Sequence, residues 1–555
     1  MKIALVQPPP RSEFDRHWAR FPGLGIAYVA SSLRAAGHEI ELLDGKLDEL
    51  TVDDIVARVR DGCPGLVGVT CMTVEYPRAV EIARRIKVDR PDVPIVVGGA
   101  HVNAVGAQAL VEGEAFDFAC VGEGEYLSCE LADALHGGVD PSAIPGLVSR
   151  RGDEIVTAVP RSPPDDYDAL PFPAWDLFRP VETLPLITHR GCPFRCVFCS
   201  HNSGFRPRYR TPANVLDEIE QIVERHRPHR IRIEDETFGL HMGRTKAILE
   251  GIIARGFHRR IRFSAQTRVD RVDEEFMRLL KEANFGLLEL GVESGNPDVL
   301  KKIEKGITLE QVERAVALAK ANGLRVWCKF ILGHPHETHE TVRDTIDFIA
   351  KLNPHQLSVS IMTPFPGTPI HEMALRGEGG YRLLSGGWED FDKYSSGVLE
   401  LETVSLGQLK RYQIACYANL YLRNGRLVEL ARLVVSNRAV GWEMLRSAVG
   451  RTVLEGARRL RRQGDASPRP LDLLPDGGDA AAEVVDERGD RRPRHDDVVT
   501  RNTLRRSRRQ QQNGLGTEGP RVDAGRSGER NRGRQQHEVK EAGRVPQVAV
   551  RDELE

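Results

Sequence analysis

HRGCPFRCVFCS, residues 189–200, follows a short apolar run at 185–188 and holds three of the chain's nine cysteines within eight positions. Cys192, Cys196 and Cys199 are spaced C-x3-C-x2-C. Thiolates are soft ligands suited to iron–sulfur clusters. A structural zinc site usually takes four ligands in paired spacings. Here the set is one ligand short, and His201 is too close to be an ideal fourth. Three thiolates on one short loop can hold three irons of a [4Fe–4S] cubane and leave the fourth open. The other cysteines (63, 71, 120, 129, 328 and 416) are scattered in apolar or mixed contexts. A chain of this length needs no disulfides, so the tight cluster points to metal.

Working outward, the run at 185–188 is the first of six candidate strands; the others are 230–233, 261–265, 287–292, 326–332 and 357–362. Helical patterns separate them. Thr308 and Gln311 form a capping box before Val312, Val316 and Ala319, and Gly323 suits the exit. A further helix begins near Thr338 and aligns Val342, Ile346 and Ile349. Six βα units predict a partial (βα)6 TIM-type barrel over 184–400, with its chemistry at the carboxyl ends of the strands. Upstream, apolar strands at 3–6, 40–43, 66–71, 95–97 and 118–121 alternate with helices at 25–36, 52–60, 77–87 and 125–135. This predicts a doubly wound, Rossmann-like α/β domain over 1–140. A hairpin and a Pro/Asp-rich linker fill 141–183, and 401–465 reads as helical. Residues 466–555, rich in Arg, Gln, Gly and Asp, read as a disordered charged tail. Without a folded scaffold its charges read as solvated rather than as a site for an acidic partner.

The chain has 555 residues with 78 basic and 80 acidic side chains, a net charge of −2. That balance gives no global pull toward nucleic acid or an anionic membrane. The N-terminus lacks a signal-peptide apolar region and no run of 18 apolar residues occurs, so the expected location is cytoplasmic, with no membrane span.

The cysteine spacing, with Phe198 before the third cysteine, resembles the radical S-adenosylmethionine (SAM) superfamily. The resemblance implies that the open iron chelates SAM and that reduction releases a 5′-deoxyadenosyl radical. It also implies SAM contacts. Phe198 matches the adenine-contacting position. Asp235 and Glu236 lie in the strand-end segment IEDETF (233–238), which receives the SAM amino group in relatives; otherwise they solvate a loop. Arg268 ends the third strand. Glu293 and Ser294 lie in GVESG (291–295), similar to the ribose-contacting segment. Gly333 opens GHPHET (333–338), where relatives read GLPGET. The departures, His334 and His336, contact substrate, move protons, or are ordinary loop residues. TPFPGTP (363–369) resembles a structural turn of the family. Cys328 reads as a buried apolar residue, although its barrel strand leaves a catalytic role open. No catalytic residue is assigned beyond the cluster ligands.

The segments VGVTCMT (67–73), VVGGAH (96–101), CVGEGE (120–125) and PGLGIAY (22–28) resemble the cobalamin-binding domain of the cobalamin-dependent radical SAM class. Implied cobalamin contacts are Thr70, Cys71, Gly98, Gly99, His101, Gly122, Glu123 and Gly124. The D-x-H-x-x-G motif is absent, since Asp15-Arg16-His17 lacks its glycine. Cobalamin is therefore expected without a histidine ligand, with the residue under cobalt drawn from loop 70–76. The class implies a methyltransferase that moves a methyl group from SAM via methylcobalamin to an unactivated carbon, or phosphorus, of a small molecule. It suggests an antibiotic precursor as substrate and a flavodoxin- or ferredoxin-type electron donor. Two rivals stand beside it: an oxidative cyclase or rearrangement enzyme, and a non-catalytic Fe–S/cobalamin-binding protein. A methylthiotransferase is disfavoured because no second three-cysteine set occurs.

Overall fold

The computed structural model describes residues 1–10, 21–392 and 397–436. Asp15-Arg16-His17, the end of the expected helical region and the expected tail lie outside the described residues.

Strands β1 (Lys2–Gln7), β2 (Glu39–Asp44), β3 (Leu66–Thr70), β4 (Ile95–Gly98) and β5 (Phe118–Cys120) form a parallel sheet in the order β2-β1-β3-β4-β5. Strand periodicity sorts β1 between two cores. Ile3 and Leu5 pack with Ile26, Leu33, Leu127 and Leu131 of the helices Leu24–Ala35 and Gly124–His136. Ala4 and Val6 pack with Ile55, Val59, Ile82 and Ile86 of Val52–Gly62 and Tyr76–Asp89. Both faces are thus covered, as continuous apolar strands require. The hairpin β6 (Leu147–Arg151) and β7 (Glu154–Thr157) does more than connect. It pairs antiparallel with β5 and makes a seven-stranded sheet.

The second sheet contains β8 (Thr183–Leu186), then, after the two-residue strands β9 (His189–Arg190) and β10 (Arg208–Tyr209), β11 (Arg230–Ile233), β12 (Arg262–Thr267), β13 (Phe285–Glu293), β14 (Arg325–Leu332) and β15 (Gln356–Ile361). Its six strands are parallel in the order β15-β14-β13-β12-β11-β8, so the ends do not pair and the barrel stays open. The first strand lies two residues earlier than its sequence pattern suggests. Thr188 and His189 are drawn out of it by hydrogen bonds to Asp235. Thr308 and Gln311 form the expected capping box on the helix Leu309–Ala321. The helix Leu406–Arg423 covers the β15 edge. There Val359 donates its N–H to Tyr417 Oη at 3.2 Å and accepts from Gln413 Nε2 at 2.7 Å. Such cover removes an exposed strand edge.

Trp388 and Gly367 help tie the N-terminal sheet to the barrel side. Trp388 Nε1 donates to Glu112 at 2.7 Å. At Gly367, in the turn after β15, a Cβ would lie 3.2 Å from Ala104, so this glycine permits close docking on the helix Ala100–Val105.

Candidate functional site

The cluster loop lies between β9 and β10, whose antiparallel pairing closes its base. Gly191 has φ +91°, which turns the chain into the loop. Cys192 N donates to Gly204 O at 3.1 Å, Val197 N to Ile303 O at 3.2 Å and Cys199 N to Cys196 O at 3.0 Å. These backbone bonds set all three cysteines. Burial raises the Cys196 and Cys199 thiol pKa values, and the charges of the neighbouring cysteines push the same way. Lys305 and Arg268 oppose this at Cys196. Cys196 and Cys199, each pushed up by the charge of neighbouring cysteines, suit a cluster whose irons carry the compensating positive charge. Among the described residues, no three His, Cys, Asp or Glu side chains converge on a single-ion site. A cubane has no such need, because each thiolate takes its own iron.

Asp235 is fully buried and its carboxylate is committed. It accepts from Thr188 N at 2.6 Å, Thr188 Oγ1 at 2.5 Å and His189 N at 3.3 Å, and pairs with His189 Nδ1 at 2.9 Å. Asp235 thereby anchors the approach to the cluster loop, its oxygens being occupied by Thr188 and His189. The neighbouring acid differs. Glu236 Oε1 accepts from Gly191 N at 3.4 Å, while its buried Oε2 has no partner. An orphaned carboxylate oxygen beside the cluster loop fits an ammonium-bearing ligand.

Phe198 lies between Lys305 Nζ, 5.8 Å from its ring centre, and the His334 ring at 6.1 Å. Glu293 ends β13 at φ +76° and pairs with Lys305 at 2.7 Å. Its carbonyl lies 3.3 Å from His334 Nε2. Burial pushes His334 down to about 4, so the ring is neutral near pH 7. His336 is exposed, and its N–H donates to Gly379 O at 2.7 Å. Arg268 stacks on Phe194 at 3.6 Å, donates to Lys305 O at 2.6 Å and comes within 3.9 Å of Cys196 Sγ. It lies against the cluster loop. Ser294 is fully buried; its hydroxyl bonds to Thr345 Oγ1 on the next helix and accepts from Asn296 N. Gly333, at φ +92°, donates to Glu337 at 2.6 Å and shapes the turn after β14. Cys328 is buried in the apolar core.

A cavity of about 300 Å³ lies at the carboxyl ends of β3, β4 and β5. Thr70, Gly98, Gly99, Gly122, Glu123 and Gly124 line it, as does Gly25. From the barrel side come Arg190, Asn202 and Ser203. At Gly25 and Gly122 an added Cβ would meet nothing within 4 Å, so the bare backbone leaves open space, as a broad flat cofactor requires. Cys71 and His101 do not line the cavity. Gly99, at φ +102°, turns the chain, and His101 lies in the core against Tyr76 at 4.3 Å and Trp388 at 5.1 Å. Cys71 packs in the same core. Of loop 70–76, Thr70 alone reaches the cavity lining.

Sequence reading missed the clasp between cavity and cluster loop. Arg190 Nη2 donates to Glu125 at 2.6 Å, and Arg208 pairs with Glu123 at 2.9 Å. The Arg190 guanidinium lies 5.1 Å from both the Tyr28 and Tyr167 rings, and Tyr167 Oη donates to Glu123 at 2.6 Å. These partners are separated by up to 162 positions and share no local pattern that could announce them.

Residues 186–349 match the Radical SAM superfamily and residues 19–132 the B12 binding domain. The chain is 32% identical over 439 residues to "Uncharacterized methyltransferase PH0819" of Pyrococcus horikoshii, covering 77% of this chain and 94% of that protein. It is 27% identical over 448 residues to the anaerobic magnesium-protoporphyrin IX monomethyl ester cyclase of Rubrivivax gelatinosus, covering 77% and 78%. Its fold is similar to that of the radical SAM methyltransferase TsrM from Kitasatospora setae, solved with tryptophan substrate and a SAM analog. The TM-score is 0.60 at 23% identity, over 76% of this chain and 88% of that one.

Proposed function

The chain belongs to the cobalamin-dependent radical SAM enzymes, and on that premise we propose that it methylates an unactivated carbon, or phosphorus, of a small molecule. The observation that carries the proposal is the clasp. Glu123 and Glu125 of the cavity-bearing domain grip Arg190 and Arg208, the paired residues that close the cluster loop. Two cofactor sites are thereby held against each other by one set of ion pairs. Bound here, the cluster with SAM supplies a carbon-centred radical and cobalamin a transferable methyl group. Cys192, Cys196 and Cys199 hold the cluster, and Glu236 presents an acceptor for the SAM ammonium. The glycine-lined cavity would seat cobalamin; among the described residues no histidine lines it, His101 being turned into the core.

A small-molecule substrate has support in the tryptophan of the solved relative. We place the substrate among antibiotic precursors and the enzyme in the cytoplasm, with a flavodoxin- or ferredoxin-type donor. Among the described residues no helix is long and apolar enough to cross a membrane. The likeness to the Rubrivivax cyclase over a similar length favours oxidative ring closure as the second reading.

The test is an anaerobic assay of reconstituted protein with cobalamin, SAM, a low-potential reductant and candidate substrates. Methyl transfer gives 5′-deoxyadenosine, S-adenosylhomocysteine and a substrate heavier by one methyl group, all lost in Cys196→Ala. Deoxyadenosine with an oxidised, unmethylated product would move the assignment to the cyclase.

A further inference from the structure

The inner face of the barrel sheet is polar, whereas barrel lumens are ordinarily packed with branched apolar side chains. In β11, β14 and β15 fully buried residues alternate with half-buried ones. The buried set (Ile231, Cys328, Phe330, Val359 and neighbours) belongs to the apolar core. The half-buried set includes Arg232, Trp327, Lys329, Ser358 and Ser360. Side-chain contacts put Arg232, Trp327 and Lys329 on one face with Gln266 of β12 and Glu289 of β13, and Ser358 stands in register with Lys329. Arg232 Nη2 lies 3.1 Å from Glu289, Lys329 pairs with the same carboxylate, and Lys329 Nζ donates to Gln266 at 3.2 Å.

Three features mark this face as a chamber. Lys329 keeps 31% of its side chain accessible and Arg232 22%, although both stand on strands flanked by neighbours. Trp327 Nε1 is buried with no hydrogen-bond partner, a state that costs free energy until an acceptor arrives. The cations also outnumber the buried acid: Arg232 and Lys329 share the carboxylate of Glu289, while Glu234, another partner of Arg232, is 37% exposed. On a concave, partly desolvated wall, cations that share one carboxylate attract a further anion. The chamber adjoins the cobalamin-bearing domain, whose Phe21 ring lies 6.0 Å from the Arg232 guanidinium.

We propose that this lumen is the substrate chamber and that it selects a small molecule carrying an anionic group, a carboxylate or phosphoryl. Lys329 and the Trp327 indole N–H receive that group, with Arg232 behind them. The inference rests on the methyltransferase reading for its location and adds the substrate class. It sets this chain apart from enzymes that hold uncharged apolar substrates, for which a cationic lumen would be costly to desolvate.

The test measures binding to the full chain with cluster and cobalamin, without SAM or reductant, so that turnover plays no part. The probes are methylphosphonate, tetramethylammonium and tert-butanol, followed by ligand-observed NMR. Methylphosphonate is expected to bind saturably and the other two not. Lys329→Gln should weaken it about tenfold. Ser358→Asp, whose backbone stands in register with Lys329, should weaken it comparably by adding a negative charge. Both variants are checked for unchanged circular dichroism and cluster absorbance. Equal binding by wild type and both variants, equal binding of tert-butanol, or no methylphosphonate binding overturns the proposal. Lys329-dependent anion binding in a protein that methylates nothing would overturn only the functional reading.

Discussion

Asp235 and His189 show how one buried pair serves the cluster from a distance. Burial raises the Asp235 pKa, but the His189 charge and the hydrogen bonds from His189 and Thr188 outweigh it and hold the value below the usual range. At His189 burial works against the charge, and Asp235 outweighs it to raise the pKa. The raised histidine contributes stability that is complete below its unfolded value of about 6.5 and is lost as pH rises through the folded value. The lowered aspartate contributes above its unfolded value of about 3.9 and loses this as pH falls through the folded value. The pair therefore contributes most between about pH 4 and 6.5. The loss of melting temperature on His189→Gln should be larger at about pH 5 than at about pH 9; an equal loss at both would mean that the pair is uncharged. Asp235→Ala should cost about 3–5 kcal/mol and lower iron content, read by thermal unfolding and iron analysis. Loss of iron in Cys196→Ala should leave cobalamin binding intact, because the cavity lining contains none of the three cysteines.

At the scale of elements, the helix start Leu24-Gly25 and the ribbon β9–β10 have separable roles. Gly25 lines the cavity and has room for a Cβ. Gly25→Leu should fold with an unchanged or raised melting temperature, since Leu favours helix over Gly, yet bind cobalamin at least about tenfold more weakly. Equilibrium dialysis decides it, and undiminished affinity would place cobalamin elsewhere. The ribbon is held from the other domain. Arg190→Met leaves Glu125, with a side chain only 5% exposed, without its charge partner. A cost of about 3–5 kcal/mol follows, visible as a lowered denaturation midpoint. Thr308→Ala removes a capping box that lies outside the cavity lining and three residues beyond Lys305. It should cost about 1 kcal/mol and leave cluster and cobalamin spectra unchanged.

Across the whole molecule, every residue assigned to cluster, SAM or cobalamin lies between positions 25 and 333. A chain ended at residue 465 should therefore keep iron and cobalamin at full stoichiometry, and loss of both would show that later residues support the fold. Much of the plan was legible beforehand, because it is written in local patterns. C-x3-C-x2-C names an iron–sulfur loop, the glycines at 98, 99 and 122 name a bare strand edge, and short continuous apolar runs between helical stretches name two parallel sheets. Hydrophobic periodicity and residue spacing act over a few residues, so the sequence by itself determined the fold class, the three cysteines of one loop and six residues of the cavity lining. Tertiary structure alone decided the allocation of charges. It committed Asp235 to His189 and left Glu236 with an open oxygen. It laid Arg268 against Cys196, turned His101 into the core and joined Glu123 and Glu125 to Arg190 and Arg208. It also set Arg232 and Lys329 on one buried carboxylate, Glu289. Each of these outcomes depends on which groups approach within a few ångströms across long sequence separations, and on the cost of burying a charge without a partner.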